Sequence, residues 1–284
     1  MQQNIVRLFL LMATEPLIRL TFFFGVFIAV AIWEFWSPRR QLATPKAGRW
    51  FSNISITLIG TAIVRSFFPV LALTFAADET SLGIFDRIPL PYALNVFISV
   101  LVLDLIIYGQ HVLFHSVPLF WRLHMMHHAD LDIDVTTGLR FHPIEVMLSM
   151  CIKIASVIII APPVLAVIVF EILLNGTSMF NHGNIRMPLH VDRLLRLVVV
   201  TPDMHQVHHS VIIKETNSNF GFNFPWWDRI FGTYTEQPAA CHDNMTIGLS
   251  HFRDKEKLTL PWLLALPFTG KPGAYPLIRS RRRG

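Results

Sequence analysis

Long apolar runs alternate with short polar connectors along this chain. The first run covers roughly 17–36 and ends at Trp33 and Trp36. The second, roughly 51–76, follows Trp50, and the third covers roughly 91–115. A hydrocarbon core needs about 20 apolar residues in a helix, so each of these predicts a membrane helix. The fourth run, roughly 144–178, is too long for one simple crossing and is interrupted by Pro162-Pro163. Two adjacent prolines remove two backbone donors and break a helix. The run is therefore either one kinked span or a hairpin of two short arms. A last apolar stretch, 258–268, is too short to span and is expected at the interface. The expected fold is all-α, an integral membrane helical protein with about four membrane helices or hairpins.

Basic loops orient such a chain. Arg39, Arg40, Lys46 and Arg49 lie between the first two runs, and the tail ends RSRRRG, so both are expected in the cytoplasm. Residues 77–90 carry Asp78, Glu79 and Asp86 against Arg87 and fit the opposite side. The third run then returns to the cytoplasm near His115. A cleavable signal peptide is the rival for the first run, because Ala29-Val30-Ala31 resembles a cleavage site. Arg19 and the continuation to Trp36 argue against it.

Composition supports the membrane assignment. Hydrophobic residues make up 52% of the 284 and charged residues 15%, with a net charge of +5. Soluble domains carry about 25% charged residues, so too few polar side chains remain to cover a water-facing globule. Secreted, fibrous and disordered classes drop out. Of two cysteines, Cys151 lies in an apolar run and Cys241 in a polar one, so no disulfide framework is expected.

Histidine is the anomaly. All 13 lie between His111 and His251, and 11 fall within residues 111–209. Three boxes stand out: His111-x-x-x-His115, His124-x-x-His127-His128 and His205-x-x-His208-His209. On a helix, residues i, i+3 and i+4 share a face. That makes eight imidazoles from three helical segments. One metal accepts at most about six ligands, so eight point to two metals. His182, in Asn181-His-Gly-Asn, and His142, in Arg140-Phe-His-Pro-Ile-Glu145, are further candidates. Imidazole suits iron, zinc, copper or nickel alike. Asp104, an acid inside an apolar run, is expected to face the protein interior, as partner to an imidazole N–H. Glu145 and Asp203 are similar candidates. Asp130, Asp132 and Asp134 are either a third such group or a solvated loop. His190, His242 and His251 are read as ordinary hydrogen-bonded residues. One site built from all the boxes must lie on one side of the membrane. Residues 144–178 must then start and finish on that side, which favours the hairpin.

At these residues the sequence resembles the fatty acid hydroxylase superfamily, which includes sterol desaturases, sterol methyl oxidases and alkylglycerol monooxygenase. The three boxes occur in that family's order. Trp121-Arg-Leu-His124, Arg140-Phe-His-Pro-Ile-Glu145, Thr201-Pro-Asp-Met-His205 and the stretch Asn219 to Tyr234 add to the likeness, which covers roughly residues 90–235. The resemblance implies a cytoplasm-facing di-iron centre held by His111, His115, His124, His127, His128, His205, His208 and His209, with His182 beside them. Some relatives place a second histidine four residues after that point, where this chain has Arg186. The implied enzyme uses O₂ and an external electron donor, cytochrome b5-like or ferredoxin-type, to hydroxylate or desaturate a lipid drawn from the bilayer. The lipid is a sterol, a fatty acyl chain or an ether lipid, and the setting is the bacterial inner membrane or the endoplasmic reticulum. Residues 1–90 are then N-terminal membrane helices, 91–235 the catalytic region and 236–284 an interfacial segment with a basic tail, all one structural unit. No nucleic-acid partner is expected. Two rival classes are a histidine-rich metal transporter, which needs polar residues through several spans, and a haem-binding membrane protein, which needs no H-x-x-H-H doublets.

Overall fold

The computed structural model describes residues 2–67 and 83–278, with side chains from residue 14 onward. The described residues form helices and connectors, with only isolated β-bridges such as Pro38 to Ile185. The principal helices are α1 (Gln2–Trp36), α2 (Lys46–Phe67), α3 (Tyr92–Ser116), α4 (Pro118–His128), α5 (Pro143–Ile160) and α6 (Val164–Asn181). They are followed by α7 (Leu189–Leu195), α8 (Pro202–His208), α9 (Trp226–Ile230) and α10 (Leu260–Thr269).

Four helical segments among the described residues are long and apolar enough to cross a membrane: Thr14–Trp36 of α1, then α3, α5 and α6. The second apolar run is present as α2, but its described part does not reach that hydropathy, and residues 68–76 lie outside the described residues. Residues 77–82 of the acidic connector lie outside them as well. The fourth run is a pair of 18-residue arms, each about 27 Å long at 1.5 Å per residue. Ala161 joins them in the left-handed conformation (φ 50°), followed by the two prolines. Glu145 near the start bonds His124 and His182 at the end meets His127, so both arms reach the histidine cluster and the chain reverses as the one-sided site requires.

The packing explains how the site is held. α1 packs on α6 and α2 on α5, while α3 packs on α4, α5 and α6. Val117 is extended because the residue before a proline avoids the helical region. The chain therefore turns between α3 and α4, and Pro118 starts α4 at the position where its missing N–H costs nothing. Trp121, Met125 and Met126 of α4 enter an apolar core with Ile56, Leu263 and Tyr275. Gly138 lies so close to the Ser178 carbonyl that a Cβ would collide with it. Glycine there lets the loop after the second box lie against α6.

Candidate metal centre

Nine histidines converge at the ends of α3, α4, α6 and α8, and none is more than 2% exposed. They fall into two groups. His111, His115, His124, His128 and His208 form one; His127, His182, His205 and His209 form the other. Within each group the ligand nitrogens lie within 4.8 Å of one another. The two H-x-x-H-H boxes divide in complementary ways. The second gives its i and i+4 imidazoles to the first group and its i+3 imidazole to the second; the third box does the reverse. On a helix the i+3 and i+4 side chains flank residue i on opposite sides, about 100° apart. Two facing helices thus each serve both groups.

The outer nitrogens are fixed by oxygen acceptors. Nδ1–H donates to the Phe220 carbonyl from His111 (2.8 Å), to Asn217 Oδ1 from His115 (3.1 Å) and to Glu145 Oε1 from His124 (2.7 Å). His127, His182 and His208 donate likewise to the carbonyls of Arg140 (3.2 Å), Ser178 (2.6 Å) and Ser218 (2.7 Å). Each of these rings then turns a proton-free Nε2 inward. The Nε2 atoms of His111 and His124 are 3.2 Å apart, and those of the pairs His127/His182 and His182/His205 are 3.1 Å apart. Nε2 of His115, His208 and His209, Nδ1 of His205 and both nitrogens of His128 are buried without a hydrogen-bond partner. Buried polar atoms are ordinarily satisfied. Lone pairs converging in this way fit metal ions, and the donor set is nitrogen only. Burial, and after it neighbouring imidazoles, holds His127, His128, His205 and His209 well below the usual histidine range. Burial brings His182 down to about 4 and His208 to about 3. All six are neutral at pH 7, which is the form that binds a metal.

Other expected residues lie elsewhere. His142 is not in either group: its Nδ1 caps α5 by accepting the Ile144 N–H (3.2 Å), and its Nε2–H faces the Leu264 carbonyl at 3.3 Å. Helix capping accounts for it, since Pro143 follows at the first helical position. Its neighbours serve the site: Arg140 Nε donates to the Met126 carbonyl, Phe141 stacks on His127 at 4.5 Å, and Glu145 holds His124. Asp104 is buried but meets no imidazole. It accepts from Trp227 Nε1 (2.8 Å) and from the N–H groups of Asn223 (3.3 Å) and Phe224 (3.4 Å). Asp203 pairs with Arg39 at 3.1 Å.

The acidic stretch after the second box is not solvated. Arg49 forks onto Asp130 with two bonds of 2.9 Å and reaches Asp134 at 2.8 Å. Asp132 accepts from the N–H groups of Ala43 and Thr44, each at 2.9 Å. Burial alone would raise the Asp130 carboxyl, but Arg49 and Arg140 bring it down to about 2. Of the four cations in the basic connector, Arg49 is thus spent inside the protein.

Composition and spacing gave no sign of the carbonyls of residues 178, 218 and 220, because a backbone acceptor carries no side-chain signature, nor of Asn217, which lies 102 residues along the chain from His115. The segment holding three of these acceptors is itself built by Asp228, which accepts from the N–H groups of Phe220 and Gly221 at 2.8 Å each. Phe220 and Phe222 place their rings 5.4 and 5.1 Å from His111.

A family model described as fatty acid hydroxylase matches residues 96–233, a range that contains all nine histidines. An ornithine lipid hydroxylase of Rhizobium tropici is 25% identical over 77% of this chain and 67% of its own length. Human (Homo sapiens) alkylglycerol monooxygenase is 26% identical over 51% of this chain, but that match covers 30% of its own length. A very-long-chain aldehyde decarbonylase of Oryza sativa subsp. indica is 24% identical over 58% of this chain and 62% of its own length. No solved structure matches this chain.

Proposed function

We propose, for a chain whose residues 96–233 belong to the fatty acid hydroxylase family, a membrane-bound di-iron oxidoreductase that uses O₂ to oxidise a C–H bond of a lipid. The observation that carries this reading is the division of nine buried imidazoles into groups of five and four with their bare nitrogens facing inward. Neither group saturates a six-coordinate ion. Iron held there supplies the redox chemistry, in which a lipid C–H, O₂, two electrons and two protons give a lipid alcohol and water.

The chain's own residues hold and orient. Glu145, Asn217 and four carbonyls fix six ring orientations, as the outer partners of ligating histidines do. Phe141, Phe220 and Phe222 wall the imidazoles and exclude water. Exclusion of water and accurate placement decide which bond reacts. The lipid reaches the site from the bilayer beside α3, α5 and α6. Relatives named as a hydroxylase and a monooxygenase of lipids favour hydroxylation, on an acyl, ether or sterol lipid. Arg39, Arg40 and Lys46 beside the end of α1 support a cytoplasmic site, where an external cytochrome b5-like or ferredoxin-type donor supplies the electrons. A haem site needs axial imidazoles facing each other across a macrocycle; clusters of five and four with nitrogens this close leave no room for one.

The test is metal content of the detergent-purified chain by elemental mass spectrometry, beside a variant with His124, His127 and His128 changed to Ala. About two irons per chain, lost in the variant, are expected for two clusters of nitrogen ligands. With a reducing donor and O₂, extracted lipids gain one oxygen. Absence of any box-dependent metal overturns the reading.

A further inference from the structure

The two helices that flank the third box, α7 before it and α9 after it, carry an apolar surface that no described protein element covers. Leu194 of α7, Leu197 and Val198 just after it, Ile230 of α9 and Phe231 just beyond are each more than half exposed. They belong to one body. Trp226 Nε1 donates to the Leu197 carbonyl at 2.6 Å, and the Val200 N–H donates to the Asn223 carbonyl at 3.0 Å. Scattered apolar side chains on a surface need no explanation, but five on two bonded segments form a patch.

The depth of this patch follows from α3. α3 has 25 residues, so it is about 37 Å long, some 7 Å more than a typical hydrocarbon core of about 30 Å. Counted from Tyr92, the far edge of the core falls roughly 20 residues along, near Val112. Asp104 and Tyr108 then lie about 12 and about 6 Å inside that edge. α9 is attached at those two residues. Trp227 Nε1 donates to Asp104 Oδ2 at 2.8 Å, and Phe231 stacks on Tyr108 with ring centroids 5.4 Å apart. With α3 placed across a bilayer, the segment that carries the patch is thus anchored to α3 at a level inside the hydrocarbon edge. Its polar flanks suit that position. Arg193 and Arg229 are exposed, and Arg229 lies over the Tyr234 ring at 4.1 Å. Long cationic side chains reach from such a depth to the headgroups while their stems stay in the apolar layer.

We propose that Leu194, Leu197, Val198, Ile230 and Phe231 form a shoulder sunk in the acyl layer of the bilayer, so that residues 194–198 and 226–231 are membrane-embedded although they cross nothing. The occupant of this face is lipid. The shoulder adjoins the route to the histidines: Phe231 touches Tyr108, Tyr108 meets the edge of Phe220 at 6.4 Å, and Phe220 lies 5.4 Å from His111. A lipid tail leaving the acyl layer beside α3 meets this aromatic series first. The inference rests on the membrane placement of α3 and not on the oxygen chemistry, so either can fail without the other.

Site-directed spin labelling of the full chain in lipid nanodiscs tests it. Cys151 and Cys241 are first replaced by Ser, and labels are attached to Leu197→Cys and Ile230→Cys in separate variants. Phe97→Cys, exposed on α3, is the lipid control, and Asp254→Cys, exposed in a polar turn, is the water control. Labels at 197 and 230 are expected to collide with O₂ more than with a water-soluble nickel complex, as at 97. A membrane-impermeant maleimide is expected to modify the unlabelled thiols at least about tenfold more slowly than at 254, because a thiol out of water ionises poorly. Nickel accessibility and maleimide rates matching position 254 would overturn the proposal. So would low accessibility to both O₂ and nickel, which means that a protein surface covers the patch. All four positions are exposed, so the labelled variants keep the packed interior, and an unchanged gel-filtration profile checks this.

Discussion

Arg49→Met removes one buried guanidinium and so tests whether the N-terminal part of the chain holds the second histidine box in place. Arg49 and Asp130 are 2% and 0% exposed in their side chains, and Asp134 is 1% exposed. The substitution keeps the apolar stem but leaves two buried carboxylates facing an empty fork. Arg140 stays near Asp130, at 3.5 Å, and compensates only one of them. Removing one partner of a buried pair costs about 3–5 kcal/mol, because the stranded charge is desolvated without compensation. At about 2 °C per kcal/mol for a chain of this size, the melting temperature should fall by about 6–10 °C. The assay is thermal unfolding in detergent followed by tryptophan fluorescence, with metal content measured on the same samples. Metal retention should fall too. Asp130 is the second residue after His128, and Arg140, whose carbonyl accepts from His127, is itself held by Asp130. The double variant Arg49→Met, Asp130→Asn should recover part of the loss, because it removes one stranded charge. A single variant that melts within about 2 °C of the parent, the effect of only ~1 kcal/mol, would refute the reasoning. So would a double variant at which the two losses simply add.

Three further predictions address the centre itself. His208→Ala and His127→Ala, one from each group, should leave the chain inserted in the membrane but lower bound metal and abolish lipid oxidation; full activity in either sinks the assignment. Glu145→Gln preserves shape but weakens the acceptor on His124, and should lower metal affinity by about 10- to 100-fold, measured by chelator competition. His242 is lowered to about 4 by burial and then by Arg39 and Arg196, and its Nδ1 faces Gln206 Oε1 at 2.7 Å. Below its ordinary value of 6.5 the unfolded chain takes up this proton and the folded chain does not, so stability falls as pH drops from 6.5 toward 4. The full gap corresponds to about 3 kcal/mol. His242→Asn should reduce the pH dependence of unfolding over that window by the share of one proton, beside that of the buried site histidines, and an unchanged slope would exclude His242 as a source.

Much of the site was legible in the sequence because helices repeat. The i, i+3, i+4 spacing clusters imidazoles on any helix, and the metal reading needed only that. His182 was reachable through the likeness around Asn181. The same local logic offered His142 as a candidate, and the structure places it outside both groups. It stands in a run of residues that serve the site, yet a histidine before a proline at the start of a helix is also placed to cap it. Asp104 is buried, because a carboxylate in an apolar run needs donors. Its donors proved to be Trp227 and two backbone N–H groups rather than an imidazole.

The sequence by itself determined the helices, the break at Pro162-Pro163 and the histidine boxes. These follow from local terms: apolar length, missing backbone donors and helical periodicity. Tertiary structure alone decided how each box splits between two groups, which carbonyl orients which ring, and that Arg49 closes on Asp130 across 81 residues of chain. It also decided that the acidic stretch is buried rather than solvated. Those outcomes depend on which helix faces meet and on where a buried charge finds its partner. No spacing along the chain encodes either, because both are settled by desolvation and close packing between distant segments.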